Sequence, residues 1–215
     1  MKTIYAFDFD GTLTTRDTLI EFIRYARGNG ALIMGIIRHL PMLIMMKLRI
    51  YPNDKAKQHI FDHFFKGMTV DEFTTICTEF ARNSQQLLRP HGIETVKRAI
   101  RQECPVVIVS ASIDLWVAPF FSDIGTTIIH NNGQTDSDNN TEAPIIILGT
   151  KPEITGGRLT GRFATPNCYG KEKVNRLLAL YPHREKYRLI AFGDSRGDKE
   201  LLTAADESYY KPFRE

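Results

Sequence analysis

Four short apolar runs, at residues 4–8, 105–109, 145–148 and 188–192, do most to limit what this chain can become. The last three are β-branched and almost continuously apolar, as in Pro105-Val106-Val107-Ile108-Val109. A strand with one wet face would alternate; a continuous run predicts a parallel strand buried on both faces. Helical stretches separate the runs. Strand–helix alternation implies an α/β fold, a doubly wound, mostly parallel sheet with helices on both faces. The block of helices after the first strand reads as an inserted α-helical cap, residues 15–90. The core is then 1–14 and 91–215, and Pro90-His91-Gly92 is the hinge.

The ends of these strands are polar. The first runs into Asp8-Phe9-Asp10-Gly11-Thr12, the second into Ser110-Ala111-Ser112, and the last into Gly193-Asp194-Ser195-Arg196-Gly197-Asp198. Ligands of open α/β sheets bind outside the carboxyl ends of the strands. Parallel strands bring those ends to one edge, so residues a hundred apart in sequence can meet there. One of two close acids can be a nucleophile and the other a general acid/base. Their repulsion also favours shared proton or metal chemistry. Gly11 and Thr12 expose backbone amides that could cradle a phosphate. Taken alone, each feature also reads as an ordinary turn, helix cap or surface lysine; the order in which they occur favours a site. Attack of a carboxylate on a phosphate dianion needs positive charge. Asp8 and Asp194 can hold Mg2+, which takes a few carboxylates and substrate oxygens. Ser110 can donate to a phosphate oxygen, and Lys171, just inside a helix start, can balance the charge.

The remainder of the chain reads as soluble and globular. It is 42% hydrophobic and 25% charged, and its net charge of +3 gives no case for a nucleic-acid partner. Cys77, Cys104 and Cys168 are odd in number and lack metal-ligand spacing, as expected of reduced thiols in a cytoplasmic protein. The N-terminus enters the Asp motif without an apolar signal region.

Within the cap, Asp17 and Thr18 can cap a helix running to about Ala26, broken by Gly28-Asn29-Gly30. Residues 31–50 are the oiliest stretch, with Arg38, His39 and Pro41 in the middle and Lys47 and Arg49 near the end. Central charges argue against a membrane span. The stretch reads as cap helices packed on one another or on the core. A second reading is an interfacial amphipathic surface whose Arg and Lys snorkel to headgroups, a peripheral membrane contact. Residues 53–66 and 69–88 are helical, capped by Asn53 or Asp54 and by Thr69 with Glu72. The polar stretch 131–142 reads as a mobile loop; its spacing is not that of an EF-hand. Residues 153–163 read as a hairpin turning at Thr155-Gly156-Gly157-Arg158.

DFDGTLT resembles the first motif of the haloacid dehalogenase superfamily. VIVSASID resembles the second, CYGKEKV the third and GDSRGDKELL the fourth. The likeness covers nearly the whole chain, and LTGRFATPNCYGKEKVNRL is especially similar to the phosphoserine-phosphatase-like branch with a helical cap. It implies a Rossmann-like core and Mg2+-dependent hydrolysis of a phosphomonoester through an aspartyl-phosphate. Asp8 is then the nucleophile, and Asp10 is the acid for the leaving alcohol and the base for water. Asp8, the Asp10 carbonyl and Asp194 bind metal. Ser110 and Lys171 hold the phosphoryl group, Asp198 supports from behind, and Gly11, Thr12, Asp17 and Ala111 meet substrate. An acid at position 10 points to a phosphatase, because the leaving alkoxide needs a proton.

Asp17 stands where phosphoserine phosphatases carry Glu, and residues 31–50 are oilier than their cap. Both weigh against phosphoserine. The helical block also resembles that of the phosphatidylglycerophosphate phosphatase C type. The leading expectation is therefore a lipid-type or other hydrophobic phosphomonoester. A small soluble metabolite of the phosphoserine or histidinol phosphate type is the alternative. A phosphotransferase and a non-catalytic phosphate-binding or regulatory module complete the set. The sequence does not fix the oligomeric state.

Overall fold

A computed structural model describes residues 2–124, 128–130, 135–136 and 145–214. Among the described residues the strands are β1 (Lys2–Phe7), β2 (Val106–Ile113), β3 (Ile128–His130), β4 (Thr135–Asp136), β5 (Ile145–Thr150), β6 (Pro152–Thr155), β7 (Arg158–Phe163), β8 (Tyr187–Gly193) and β9 (Glu207–Tyr210). The α-helices are α1 (Thr18–Lys47), α2 (Asn53–Phe65), α3 (Val70–Asn83), α4 (Pro90–Arg101), α5 (Asp114–Val117), α6 (Lys171–Leu180) and α7 (Lys199–Ala204).

Seven strands form one sheet in the order β4-β3-β5-β2-β1-β8-β9. All neighbours are parallel except the edge pair β3–β4. β1 lies centrally, with Ala6 beside Val107 on one side and Ala191 on the other. Both sheet faces are covered, as the continuous apolar runs require. Ile4, Ala6, Val107 and Val109 pack in one buried cluster and Phe7, Ile108 and Ile147 in the other. This alternation is the period-two consequence of strand geometry.

Several local expectations shift. β2 runs through Ser110-Ala111-Ser112, with a break of register between Val109 and Ile113. Such irregularities re-aim side chains near functional edges. β9 was not foreseen. Thr135–Asp136, inside the expected loop 131–142, pairs with β3; the rest of that stretch lies outside the described residues. The hairpin β6–β7 turns at Gly156 and Gly157, both with positive φ, as a two-residue primed turn demands.

In the helical block, Asp17 caps α1 by accepting the Leu19 amide at 2.9 Å, and Thr69 caps α3 by accepting the Glu72 amide at 3.2 Å. α2 begins after Pro52 without a side-chain cap, so neither Asn53 nor Asp54 takes that role. Of the expected Gly28-Asn29-Gly30 break, only Gly28 leaves helical geometry, at φ 82° and ψ 166°, and α1 resumes beyond it at a kink. Phe22 joins the block to the core. It stacks on Trp116 at 4.8 Å and packs against Phe65, Phe73 and Phe80 at 5.3 to 5.5 Å. The β6–β7 hairpin is hydrogen-bonded to the α2–α3 turn through Gly67, Met68 and Val70. Cys77 and Cys168 are buried and unpaired, with the Cys168 thiol pushed up to about 11 by burial, as suits inert core thiols.

His39, on α1, faces α2. Its Nε2 is buried without a hydrogen-bond partner, and its ring meets His63 edge-on at 5.0 Å. Burial, with His63, Arg38 and His59 nearby, lowers its pKa. The unfolded chain therefore binds this proton more readily than the folded one. The stabilising contribution is complete above the ordinary imidazole value of about 6.5 and is lost as pH falls toward the depressed one. Thermal midpoints should fall through that window, and His39→Leu should flatten that part of the curve. Superimposable curves would show that His39 does not couple to folding.

Candidate active site

The carboxyl ends of β1, β2 and β8 and the start of α6 converge on Asp8. Asp8 is 5% exposed as a residue. Oδ1 accepts from Lys173 Nζ at 2.5 Å and Oδ2 from Thr12 Oγ1 at 2.9 Å, while its amide donates to the Phe192 carbonyl at 2.9 Å. Burial pushes the Asp8 carboxyl above its ordinary range, against the pull of Lys173. Lys173 Nζ also donates to Asp198 Oδ1 at 2.6 Å. Burial opposes the Lys173 charge, but the flanking carboxylates of Asp8 and Asp198 outweigh it and keep the ammonium protonated.

Lys173, not Lys171, is the lysine of this site. Lys171 is the first residue of α6 and is exposed, whereas Lys173, Arg176 and Leu177 form the buried face. Two residues along a helix turn the side chain by roughly 200°, so the two lysines cannot share a face. The signal was present in the amphipathic pattern: Lys173 lies three and four residues before Arg176 and Leu177. Arg176 fixes the helix by donating to the Gly149 and Pro166 carbonyls and to Glu172 at 2.9 Å.

Asp10 is held differently. Oδ1 accepts the Thr18 amide at 2.7 Å and the Thr18 hydroxyl at 2.6 Å, and Oδ2 accepts the Ser112 hydroxyl at 2.5 Å. The cap's first helical residue thus orients an acid of the core. Ser110 is fully buried, and its Oγ accepts the Ser112 amide at 3.0 Å. Ser112 and Ala111, rather than Ser110, line the cavity. Gly11 adopts φ +79°, and a Cβ there would collide with the Asp194 carboxylate. The Gly11 amide donates to Thr14 Oγ1 at 3.1 Å. Asp17 lines the cavity mouth while capping α1, and burial beside Asp10 raises its pKa.

Asp8, Asp194 and Asp198 each offer an oxygen within 4.8 Å of the others. Asp198 is already committed: Oδ2 accepts the Ser195 amide and hydroxyl at 2.9 and 2.8 Å and the Asp194 amide at 3.2 Å. Burial works against its charge, but Lys173 and Ser195 hold its pKa below the usual range. Asp194 Oδ1, in contrast, is buried without a partner, and Oδ2 accepts from Arg214. A buried, unpartnered carboxylate oxygen beside a second carboxylate is suited to a hard cation.

Two further residues enter that sequence reasoning missed. Arg214 arrives on the tail beyond β9, behind Phe213, which stacks on Phe192 at 5.5 Å. Lys57 reaches down from α2 to donate to the Ala111 carbonyl at 2.5 Å, and burial lowers its pKa against the pull of Asp10 and Asp17. No local pattern marks either one, since each contact crosses between distant segments. The cavity encloses about 560 Å3. Asp8, Asp10, Lys173 and Asp194 line it on the core side, and Leu32, Ile36, Leu43, Met46, Ile60 and Phe64 on the cap side.

A doubly wound sheet with paired aspartates at its central strand end, a buried lysine and a helical insertion is the layout of a capped α/β enzyme. The haloacid dehalogenase-like hydrolase family matches residues 5–203, and the chain belongs to it. It is 32% identical over 214 residues to protein CicA of Caulobacter vibrioides, covering 98% of this chain and 86% of that protein. Among solved structures, its fold is similar to a Bordetella pertussis protein of unknown function at TM-score 0.77 and 18% identity, covering 97% of this chain and 89% of that one. It is also similar to a substrate-bound phosphoserine phosphatase at TM-score 0.62 and 15% identity, covering 98% and 86%.

Proposed function

We propose that this protein is a Mg2+-dependent phosphomonoester hydrolase that works through an aspartyl-phosphate on Asp8 and takes amphiphilic substrates. The observation that carries the chemistry is the Asp8–Lys173–Asp198 ion chain beside the unpartnered Asp194 oxygen. An Asp8 oxygen attacks phosphorus as the ester bond to the alcohol breaks. Asp10, fixed by Thr18 and Ser112, gives the leaving alkoxide its proton. It then takes a proton from the water that cleaves the acyl phosphate, and inorganic phosphate leaves. Lys173 offsets the added negative charge on nucleophile and phosphoryl oxygens. Ser110, buried behind the cavity wall, holds the Ser112 amide and so fixes the strand end from which Ser112 reaches Asp10. Asp8, Asp194 and the Asp10 carbonyl would hold Mg2+, which supplies positive charge where the phosphoryl oxygens gather it. One structure of similar fold is the phospho-aspartyl intermediate analogue of a phosphoserine phosphatase, in keeping with this chemistry.

The cap-side lining supports the substrate class. Six apolar side chains face a cavity whose opposite wall is ionic, an arrangement complementary to a phosphate carrying a hydrocarbon tail. Each methylene buried there is worth about 0.8 kcal/mol, or roughly a fourfold gain in kcat/KM until the space is filled. Phosphate release with Mg2+ should therefore climb along a series of alkyl phosphates below their micelle concentrations and exceed that from phosphoserine. Lys57 favours a second reading, a small ester with an anionic leaving group. A flat alkyl series with fast phosphoserine turnover would establish that reading and remove the amphiphile. No release from any ester would remove the phosphatase itself.

A further inference from the structure

The second half of α1 carries apolar residues on its outward side as well as on the side that is covered. Leu32, Ile36, Leu43 and Met46 face the cavity. Ile33, Ile37, Leu40 and Ile44 lie on the outward side and are 57%, 59%, 46% and 50% exposed, and the following turn adds Leu48 and Ile50 at 64% and 71%. Nine of the sixteen exposed large hydrophobic residues among the described residues fall between 33 and 50. A helix with an apolar face this broad normally has that face covered by protein or by lipid. Concentrated exposure of this kind marks a contact surface rather than scattered surface leucines.

The charge pattern identifies the partner. Across residues 22–53 there are five cations, Arg24, Arg27, Arg38, Lys47 and Arg49, and no Asp or Glu. Arg38, Lys47 and Arg49 are exposed around the apolar face. A protein partner of ordinary composition gives no reason for a segment stripped of acids, whereas an anionic bilayer does. α1 is long and apolar enough to cross a membrane. Spanning would place Arg38 and His39 in hydrocarbon and pull Leu32 and Ile36 out of the cavity wall. We infer that the outer face of α1 and the turn after it, from Ile33 to Ile50, seats this protein on an anionic lipid surface, lying in the headgroup plane. Its inner face walls the cavity, so a tail drawn from that surface needs to pass only one helix. This last consequence rests on the proposed substrate class; the docking itself does not.

Cosedimentation of the full chain with phosphatidylcholine vesicles, with and without phosphatidylglycerol, tests it. The protein should pellet with the anionic vesicles, and added salt should release it. Ile37→Glu/Ile44→Glu should cut the partition by about tenfold or more, and Arg38→Gln/Lys47→Gln should remove the preference for anionic lipid. Neither pair lines the cavity, so turnover of a water-soluble phosphate ester should be unchanged. Failure of the active wild-type protein to pellet would overturn the docking and leave the phosphatase reading standing. Pelleting without hydrolysis would do the reverse. Release only by detergent would mean a spanning helix. A dimer that Ile37→Glu/Ile44→Glu dissociates, with no vesicle binding, would assign the face to a second copy. Either of these last results overturns the inference.

Discussion

Asp8→Asn should lower phosphate release by roughly 10⁴-fold or more while leaving the protein as stable as before, or more so. The loss follows from removing the attacking oxygen's charge. The stability argument follows from burial. Asp8 is enclosed, and burial raises its pKa despite Lys173, so the folded state already penalises its charge. Asn can accept from Lys173 through Oδ1 and donate to Thr12 Oγ1 through Nδ2, preserving both contacts of the native carboxylate. Lys173 keeps Asp198 as a counter-ion. Phosphate release and thermal midpoint should be measured on the same preparation. Turnover within about tenfold of wild type would require another nucleophile. Loss of activity with a large drop in midpoint would show that the carboxylate is structural.

The aspartates were visible in the sequence because strand ends are local. An apolar run stops where Asp and Gly begin, and parallel topology brings such ends to one edge. The β6–β7 turn and the Asp17 and Thr69 caps were legible for the same reason: a few adjacent residues decide each. Lys173 was missed at a helix start, where an uncertainty of two residues selects the wrong face. Ser112 became the cavity residue through a break in strand register that periodicity does not encode. Lys57, Thr18 and Arg214 act across 54, 8 and 20 residues of sequence. Such contacts depend on how the helical block and the tail fold back, and no spacing rule reaches them.

Lys173→Met should reduce kcat/KM by about 10³-fold, the scale for losing one preorganised donor to a charged phosphoryl group, whereas Lys171→Ala should stay within about twofold of wild type. The physical difference is burial. Lys173 is 2% exposed between two carboxylates 8% and 1% exposed, so its removal leaves Asp8 and Asp198 as like charges without a counter-ion. Breaking such a buried pair costs about 3–5 kcal/mol, so Lys173→Met should also unfold earlier in urea, and activity must be read where the variant is still folded. A double variant separates the two effects. Asp8→Asn added to Lys173→Met removes one orphaned charge and should recover part of the lost stability without recovering turnover. Lys171, exposed at the first turn of α6, has no such partner to abandon. If Lys171→Ala were as inactive as Lys173→Met, or if Lys173→Met turned over normally while folded, the charge-balancing role would not belong to Lys173. The Asp8–Lys173–Asp198 chain would then be a structural feature beside the site rather than part of it.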